Sequence, residues 1–350
     1  VKEALYLFLL QKREENELSQ AFTAYNTRIV APPHGSMLPM SPVRKNILMV
    51  ACALGLLIPV VIIFICENMN TRVRGRKDLE SVTVPFIGEI PLFTRKKKGI
   101  FRKKPQEVRA IVVKEGSRDI INEAFRVLRT NLEFMTGKDK ASNVIIVTSF
   151  NPGSGKSFLT MNIAVSFAIK GKKVLVIDGD LRHGSASSYI DSPTKGLSDY
   201  LGGRIDNLNE IIVTNPKQKY LDILPVGTIP PNPTELLFDD RLKQVIDTVR
   251  EQYEYVLIDC PPIELVADTQ IIEKLADRTI FVVRAGLLEL SMLAELEKIY
   301  GEKKYKNMSL ILNGTEGSGG RYGYRYGYRY GYHYGYGSEY HYGSDEKYIE

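Results

Sequence analysis

The chain is short of the residues on which several common chemistries depend. Its 350 residues include only three cysteines and four histidines. Three cysteines give no disulfide framework. Cys52 and Cys66 fall inside an apolar run and Cys260 stands apart from them, a usage that fits a reducing compartment. The histidines do not cluster at metal-ligand spacing. General basicity is missing too. The formal charge is +6, yet residues 71–104 hold eleven Lys/Arg against three Asp/Glu, and the remainder is 36 basic against 38 acidic. The positive charge is therefore a local device, not a whole-surface field. The C-terminal segment from Gly317 lacks aliphatic residues until Ile349, so it cannot bury a core and is expected to be disordered. A chain that begins at Val1 without Met is expected to be a piece of something longer.

What is present centres on Val144–Lys170. Val144 to Ser149 reads as a buried parallel strand, Phe150 to Gly155 as a glycine-bearing turn, and Lys156-Ser157 as the opening of a helix with apolar spacing at Leu159, Ile163, Val165 and Phe167. Strand, turn, Gly-Lys-Ser and helix together form a phosphate-binding loop. Its backbone N–H groups cradle phosphate oxygens, and the helix dipole adds positive charge. Lys156 can reach the β- and γ-phosphates, and Ser157 can ligate Mg²⁺. The candidate nucleotide-binding residues are Pro152, Gly153, Ser154, Gly155, Lys156, Ser157 and Phe158, with Arg182 from a later loop. Phe150 stands where the usual motif starts with Gly. A plain βα turn with a glycine cap is the alternative reading.

Taken in order, residues 1–28 are helix-like, with Leu5, Phe8, Leu9, Leu18, Phe22 and Tyr25 among charges, and prolines at 32, 33, 39 and 42 stop the helix. Ile47–Cys66 is twenty residues without a charge, enough to cross a bilayer core of roughly 30 Å. Arg44 and Lys45 precede it. Arg72, Arg74, Arg76, Lys77 and the clusters at 95–98 and 102–104 follow, which puts the C-terminal side in the cytoplasm. Those clusters read equally as a lipid-binding surface or a solvated linker. Residues 117–135 form a helix with Glu123, Arg126 and Arg129 on one face, a pattern that is most often a solvated ion-pair face. Strands are expected at Lys173–Asp178, Asp222–Val226, Tyr255–Asp259, Thr279–Arg284 and Ser309–Asn313, with helices near 234–251, 264–276 and 289–303. The fold class is α/β, a doubly wound parallel sheet. The expected divisions are 1–46, the membrane helix 47–66, a basic linker 67–116, a nucleotide domain 117–316 and a tail 317–350.

Asp178 ends one strand, with Asp180 and Arg182 on its loop, and Asp259 ends another. Three carboxylates at two strand tips, beside Ser157, suit Mg²⁺. Lys156, Asp178, Asp180 and Asp259 are the candidate catalytic residues, and Ser157 with the three aspartates is the candidate metal set. Phosphoryl transfer needs positioning and charge neutralisation more than a strong base. The alternative role for one such aspartate is a helix N-cap. Eleven of the twenty tyrosines lie between Tyr322 and Tyr348. Tyr322, Tyr324, Tyr326, Tyr328, Tyr330, Tyr332, Tyr334, Tyr336, Tyr340, Tyr342 and Tyr348 are candidate phosphoryl acceptors beside an ATP site.

Residues from about 79 to 350 resemble the bacterial tyrosine kinases of capsule and exopolysaccharide export. The matching pieces are Pro152–Ser157, Asp178-Gly-Asp-Leu-Arg182, Leu257-Ile-Asp-Cys-Pro-Pro262 and the tyrosine tail. Gly196–Leu201 and Pro230–Leu237 look like further family stretches, and a proline at 152 is usual in the family. Glu123, Arg126 and Arg129 match its subunit-contact motif. The proline run and the span resemble the end of an attached Wzz-like chain-length-determinant domain. The resemblance implies an ATP- and Mg²⁺-dependent autokinase of the inner membrane, with its kinase domain and tail cytoplasmic. It implies transfer between neighbours in a ring-like homo-oligomer, an octamer by analogy. Further implied partners are a cognate phosphatase and the polysaccharide polymerisation and export machinery. Cys260 departs from the family pattern and is read as packing, with no redox role.

Two other classes stay in view. A ParA/MinD-type ATPase shares the sheet and both aspartate motifs but carries a second loop lysine, where this chain has Asn151, and it lacks a span on this side and a tyrosine tail. A non-catalytic co-polymerase scaffold would not need Lys156, Ser157 and the aspartates intact. An Arg/Tyr/Gly tail also suits base stacking, but Glu339, Asp345, Glu346 and Glu350 weaken its charge, so no nucleic-acid partner is expected.

Overall fold

The computed structural model describes residues 2–22, 35, 44–93, 110–136, 143–215, 218–264 and 267–315. The chain divides into two units, Val1–Asn70 and Thr71–Glu350. In the first, α1 (Lys2–Phe22) buries nothing; Leu5, Phe8, Leu9, Leu18 and Phe22 are all exposed. The remainder of the expected 1–28 helix and the proline run lie outside the described residues. Helix α2 (Arg44–Asn68) carries the charge-free stretch, and Arg44–Ile65 within it is long and apolar enough to cross a membrane. Pro59 sits inside this helix. An interior proline ring crowds the carbonyl four residues earlier, and that position is Gly55, which has open space around it.

The second unit contains β1 (Phe86–Pro91), α3 (Ile120–Thr136), β2 (Val144–Thr148), α4 (Lys156–Ile169), β3 (Val174–Asp178), α5 (Leu197–Leu201), β4 (Val213–Thr214), β5 (Leu221–Leu224), α6 (Pro233–Leu237), α7 (Asp240–Gln252), β6 (Tyr255–Asp259), α8 (Asp268–Glu273), β7 (Arg278–Arg284), α9 (Met292–Gly301) and β8 (Ser309–Thr315). One sheet has the order β1-β8-β7-β2-β6-β3-β5-β4, and every pairing is parallel except the short edge pair β4–β5. Strand residues alternate between two cores. Ile145 and Val147 of β2 pack with α3 and α4; Val144 and Ile146 face the layer containing α7 and α9. Burial on both faces is why these strands read as unbroken apolar runs. The expected strands appear within one or two residues of their expected ends.

Three expectations change. Residues 67–116 are not simply a linker, and the compact unit begins at Thr71, not 117. Strand β1 pairs in parallel with β8, and Val73, Leu79, Val84, Ile87 and Ile90 are buried. Arg72 and Arg76, counted as juxtamembrane charge, are built into this unit: Arg72 Nη1 donates to the Gly286 carbonyl at 3.0 Å, and Arg76 stacks over Phe86. The clusters at 95–104 lie outside the described residues. The single helix expected over 234–251 is two, because Asp239 caps a new start by accepting from the Arg241 N–H at 2.8 Å. The helix expected over 264–276 is confined, among the described residues, to Asp268–Glu273.

Candidate active site

The phosphate loop runs from the end of β2 to the start of α4. Gly153 and Gly155 have φ of 74° and 86°, a region that favours glycine. A Cβ on Gly155 would lie 2.2 Å from Asn313 Nδ2. That amide, from the end of β8, donates to the Ser154 carbonyl at 2.8 Å in a buried position. Ser149 Oγ and Ser154 Oγ both donate to the Asn151 carbonyl at 2.8 Å, closing the loop on itself. Arg284, from the end of β7, fills the space beneath: a Cβ on Gly314 would lie 2.7 Å from its Nε. The first N–H of α4 to find a main-chain partner is that of Leu159, on the Gly155 carbonyl at 3.0 Å. The N–H groups before it are the ones a helix start offers to an anion.

Phe150, in place of the usual glycine, is buried edge-on against Phe281 with ring centroids 4.9 Å apart, so it anchors the loop through the core. Phe158 packs edge-on against Phe125 of α3, which leaves its backbone as its contribution to a phosphate. Pro152 and Gly153 are exposed and Ser157 is half-buried. Lys156 is buried at the helix start and pulls the Asp259 carboxyl downward electrostatically.

Asp178 and Asp259 are register partners on adjacent strands β3 and β6. Both are almost wholly buried. Ser187 fixes Asp178: its N–H and its hydroxyl each donate to Oδ2 at 2.6 Å, while its Oγ accepts from the Val226 N–H at 2.9 Å. Asp178 Oδ1 and both Asp259 oxygens accept no bond of good geometry, although the Asp180 N–H and the Ser157 hydroxyl lie near enough to favour the charged forms. Burial pushes both carboxyls well above the ordinary carboxylate range. For Asp178 the Ser187 bonds oppose that rise and Asp180 adds to it. For Asp259 the Asp178 charge adds to it, and the nearby Ser157 hydroxyl and Lys156 ammonium oppose it. Three buried oxygens without a well-aligned donor, at the mouth of a phosphate loop, fit a hard divalent cation. Among the described residues no three acidic, histidine or cysteine ligands converge on a metal by themselves. That matches Mg²⁺, which takes one or two carboxylates and completes its shell with water and substrate phosphate.

Asp180 sits close by but is partly committed to its own loop, with Oδ1 accepting from the Arg182 and His183 N–H groups at 3.2 Å. Arg182, expected at the nucleotide, is held elsewhere. Its Nε donates to Asp268 Oδ2 at 3.0 Å and its Nη2 to Thr234 Oγ1 at 3.0 Å; Thr234 in turn donates to Asp268 Oδ1 at 2.6 Å. This half-buried knot ties the Asp180 loop to α6 and α8. Cys260 is fully buried and its thiol is pushed up by desolvation, so it stays protonated and packs.

On α3, Glu123 pairs with Arg126, and both are half-exposed. Arg129 turns inward, its Nη1 donating to the Ser166 carbonyl of α4 at 2.8 Å. The tail tyrosines, Tyr322 to Tyr348, lie outside the described residues. Sequence reasoning missed Ser187, Asn313, Asp268 and Thr234. Only Asn313 leaves a trace, as a polar residue ending an apolar strand just before a glycine.

A family model described as an AAA domain matches residues 142–310. The tyrosine-protein kinase Wzc of Salmonella typhimurium is 30% identical over 321 residues, covering 88% of this chain and 43% of that protein. The solved kinase domain of the Escherichia coli tyrosine kinase Etk is similar with a TM-score of 0.61 at 29% identity, over 76% of this chain and 100% of that one. The BceF tyrosine kinase domain gives 0.58 at 30% identity, over 69% and 99%. The chain spans about two fifths of the length of the curated relatives it matches.

Proposed function

The chain belongs to the Wzc-like bacterial tyrosine kinases, and from that premise we propose that it transfers the γ-phosphoryl group of ATP to the tyrosines of its own C-terminal tail, between neighbouring subunits. One observation carries the reading. Asn313, which holds the Ser154 carbonyl of the phosphate loop, lies in β8, the strand that leads in sequence into the tail from Gly317. The loop N–H groups and Lys156 hold the β- and γ-phosphates. Ser157, Asp178 and Asp259 would hold Mg²⁺, which would neutralise charge building on the phosphates. A carboxylate of Asp178 or Asp180 accepts the hydroxyl proton as the tyrosine oxygen bonds phosphorus and the bond to the β-phosphate breaks, releasing ADP.

Transfer between subunits is supported by α3. Ile120, Val127 and Phe134 are exposed at intervals of seven residues, an apolar stripe flanked by the Glu123–Arg126 pair. A neighbour seated there forms the ring of the family resemblance, an octamer by analogy. With α2 in the inner membrane and the second unit in the cytoplasm, phosphorylation and a cognate phosphatase would cycle assembly and so regulate capsule or exopolysaccharide polymerisation and export. The test is intact mass after incubation with Mg-ATP. The wild-type chain should gain several phosphoryl groups mapping to Tyr322–Tyr348, and Lys156→Met should gain none. ATP hydrolysis without any gain in mass refutes the reading.

A further inference from the structure

Beside the phosphate loop, between α8 and α9, lies a cavity of about 260 Å³ that the transfer chemistry does not use. Its apolar wall is Phe150, Ile263, Met292, Ile299 and Tyr305. This is somewhat below the roughly 300–1,000 Å³ of small-ligand sites and suits one aromatic side chain. Its charged lining is Glu264 and Glu295 against Lys304, a net excess of one carboxylate. Both glutamates keep capacity for donors. Glu264 Oε2 accepts only a long bond, 3.3 Å, from Asn151 of the phosphate loop, and Glu295 lies 3.9 Å from Lys298 on an exposed face. The site therefore asks for an aromatic ring with a cation next to it.

One segment of this chain supplies that combination repeatedly. In 321–330, RYGYRYGYRY, every tyrosine has an arginine as its immediate neighbour. Beyond it, Tyr332 to Tyr342 are flanked by glycine, histidine and Glu339, and none by arginine. An extended chain covers at most about 3.3–3.6 Å per residue. From Thr315 that allows about 20 Å to Arg321 and about 50 Å to Tyr330, ample for a site on the same domain or on a neighbour.

We propose that this cavity is a docking site for the arginine–tyrosine segment 321–330 of the tail, distinct from the Asp178–Asp259 pair. It takes one tyrosine ring against Met292 and Ile299 and pairs the adjacent arginine with Glu264 and Glu295. Anchoring the proximal half leaves the tyrosines from Tyr332 onward for transfer, and in that respect the proposal rests on the tail being the phosphoryl acceptor. Phosphorylation within 321–330 adds about −1.5 to −2 charges per tyrosine and removes the complementarity, so the anchor releases once modified.

The test is photo-crosslinking in the full-length detergent-solubilised chain, without nucleotide, with p-benzoylphenylalanine in place of Tyr326. Adducts should map to Met292, Glu295, Ile299 or Tyr305. Glu295→Lys, an exposed change, should lower their yield at least fivefold, and combining it with Arg321→Glu, Arg325→Glu and Arg329→Glu should restore it. Adducts that map elsewhere, or a yield indifferent to Glu295→Lys, overturn the proposal. The crosslink needs no ATP, so it appears even if the tail proves not to be the acceptor. Conversely, a chain that phosphorylates its tail while crosslinking elsewhere sinks docking alone.

Discussion

Replacing Asp259 by Asn is expected to stabilise the nucleotide-free protein while abolishing phosphoryl transfer. Asp259 is buried with neither oxygen accepting a bond of good geometry, and burial beside Asp178 raises its folded-state pKa. In the unfolded chain an Asp titrates near 3.9. The folded state therefore retains a proton that the unfolded state releases, and stability falls as pH climbs from about 4 into the neutral range. Each unit of separation is worth about 1.4 kcal/mol, so at pH 8 the carboxyl opposes folding by a few kcal/mol. Asn fills the same volume without charge, though its unpartnered amide costs about 1–3 kcal/mol. The net gain is about 1–3 kcal/mol at pH 8 and close to none at pH 5. In a domain of this size each kcal/mol moves Tm by about 2–4 °C, so calorimetry at pH 8 should show a rise of about 3–10 °C that vanishes at pH 5. Mg-ADP should stabilise the wild type at pH 8 far more than the variant, because only the wild type offers the cation a full carboxylate pair. A variant less stable than wild type at pH 8, or shifted equally at both pH values, refutes the claim that this carboxylate waits for a cation.

Other outcomes follow from neighbouring contacts. Gly155→Ala forces a Cβ against Asn313 at a positive φ; it should cost about 1–3 kcal/mol by thermal unfolding and eliminate binding of a fluorescent ADP analogue. Ser187→Ala keeps the N–H bond to Asp178 Oδ2 but removes the hydroxyl bond and the acceptor of the Val226 N–H; it should cost about 1.5–3 kcal/mol and lower kcat for transfer more than it raises the KM for ATP. Glu123→Ala with Arg126→Ala breaks a half-exposed pair worth under about 1 kcal/mol and one bond to the Ser117 carbonyl, so Tm should fall little, yet if α3 is the proposed subunit contact, light scattering should show a smaller particle than the wild type. Arg129 is left intact in that test because it ties α3 to α4. Unchanged assembly in the double variant would remove α3 from the subunit contact.

The central strands were legible because they are buried on both faces, and the phosphate loop because glycines and Lys156 sit between a strand and a helix. Strand β1 was hidden by its surroundings. Residues 71–104 carry eleven basic residues, and β1 itself, FIGEIP, mixes a glycine, a glutamate and a proline into six residues. The split between α6 and α7 depends on whether Asp239 caps or continues a helix, which composition does not decide. At the site, Asp178 and Asp259 announce themselves by ending apolar runs. Their supports do not, because the contacts are remote: Asn313 reaches a carbonyl 159 positions away and Arg182 a carboxylate 86 positions away. The Arg182–Asp268 pair was not legible for that reason, since nothing near Arg182 in the chain signals Asp268.

The pairing of β1 with β8 has a mechanical consequence. The chain enters this unit at Thr71, reaches the sheet first through β1, and leaves it last through β8. The two strands are parallel and adjacent. A pull between the two ends of this unit would grip β1 at its start and β8 at its end. That loads their hydrogen bonds in shear, all together, instead of peeling them one by one. The last strand of the unit is thus riveted to its first, and tension between the two ends of the unit is borne by the sheet.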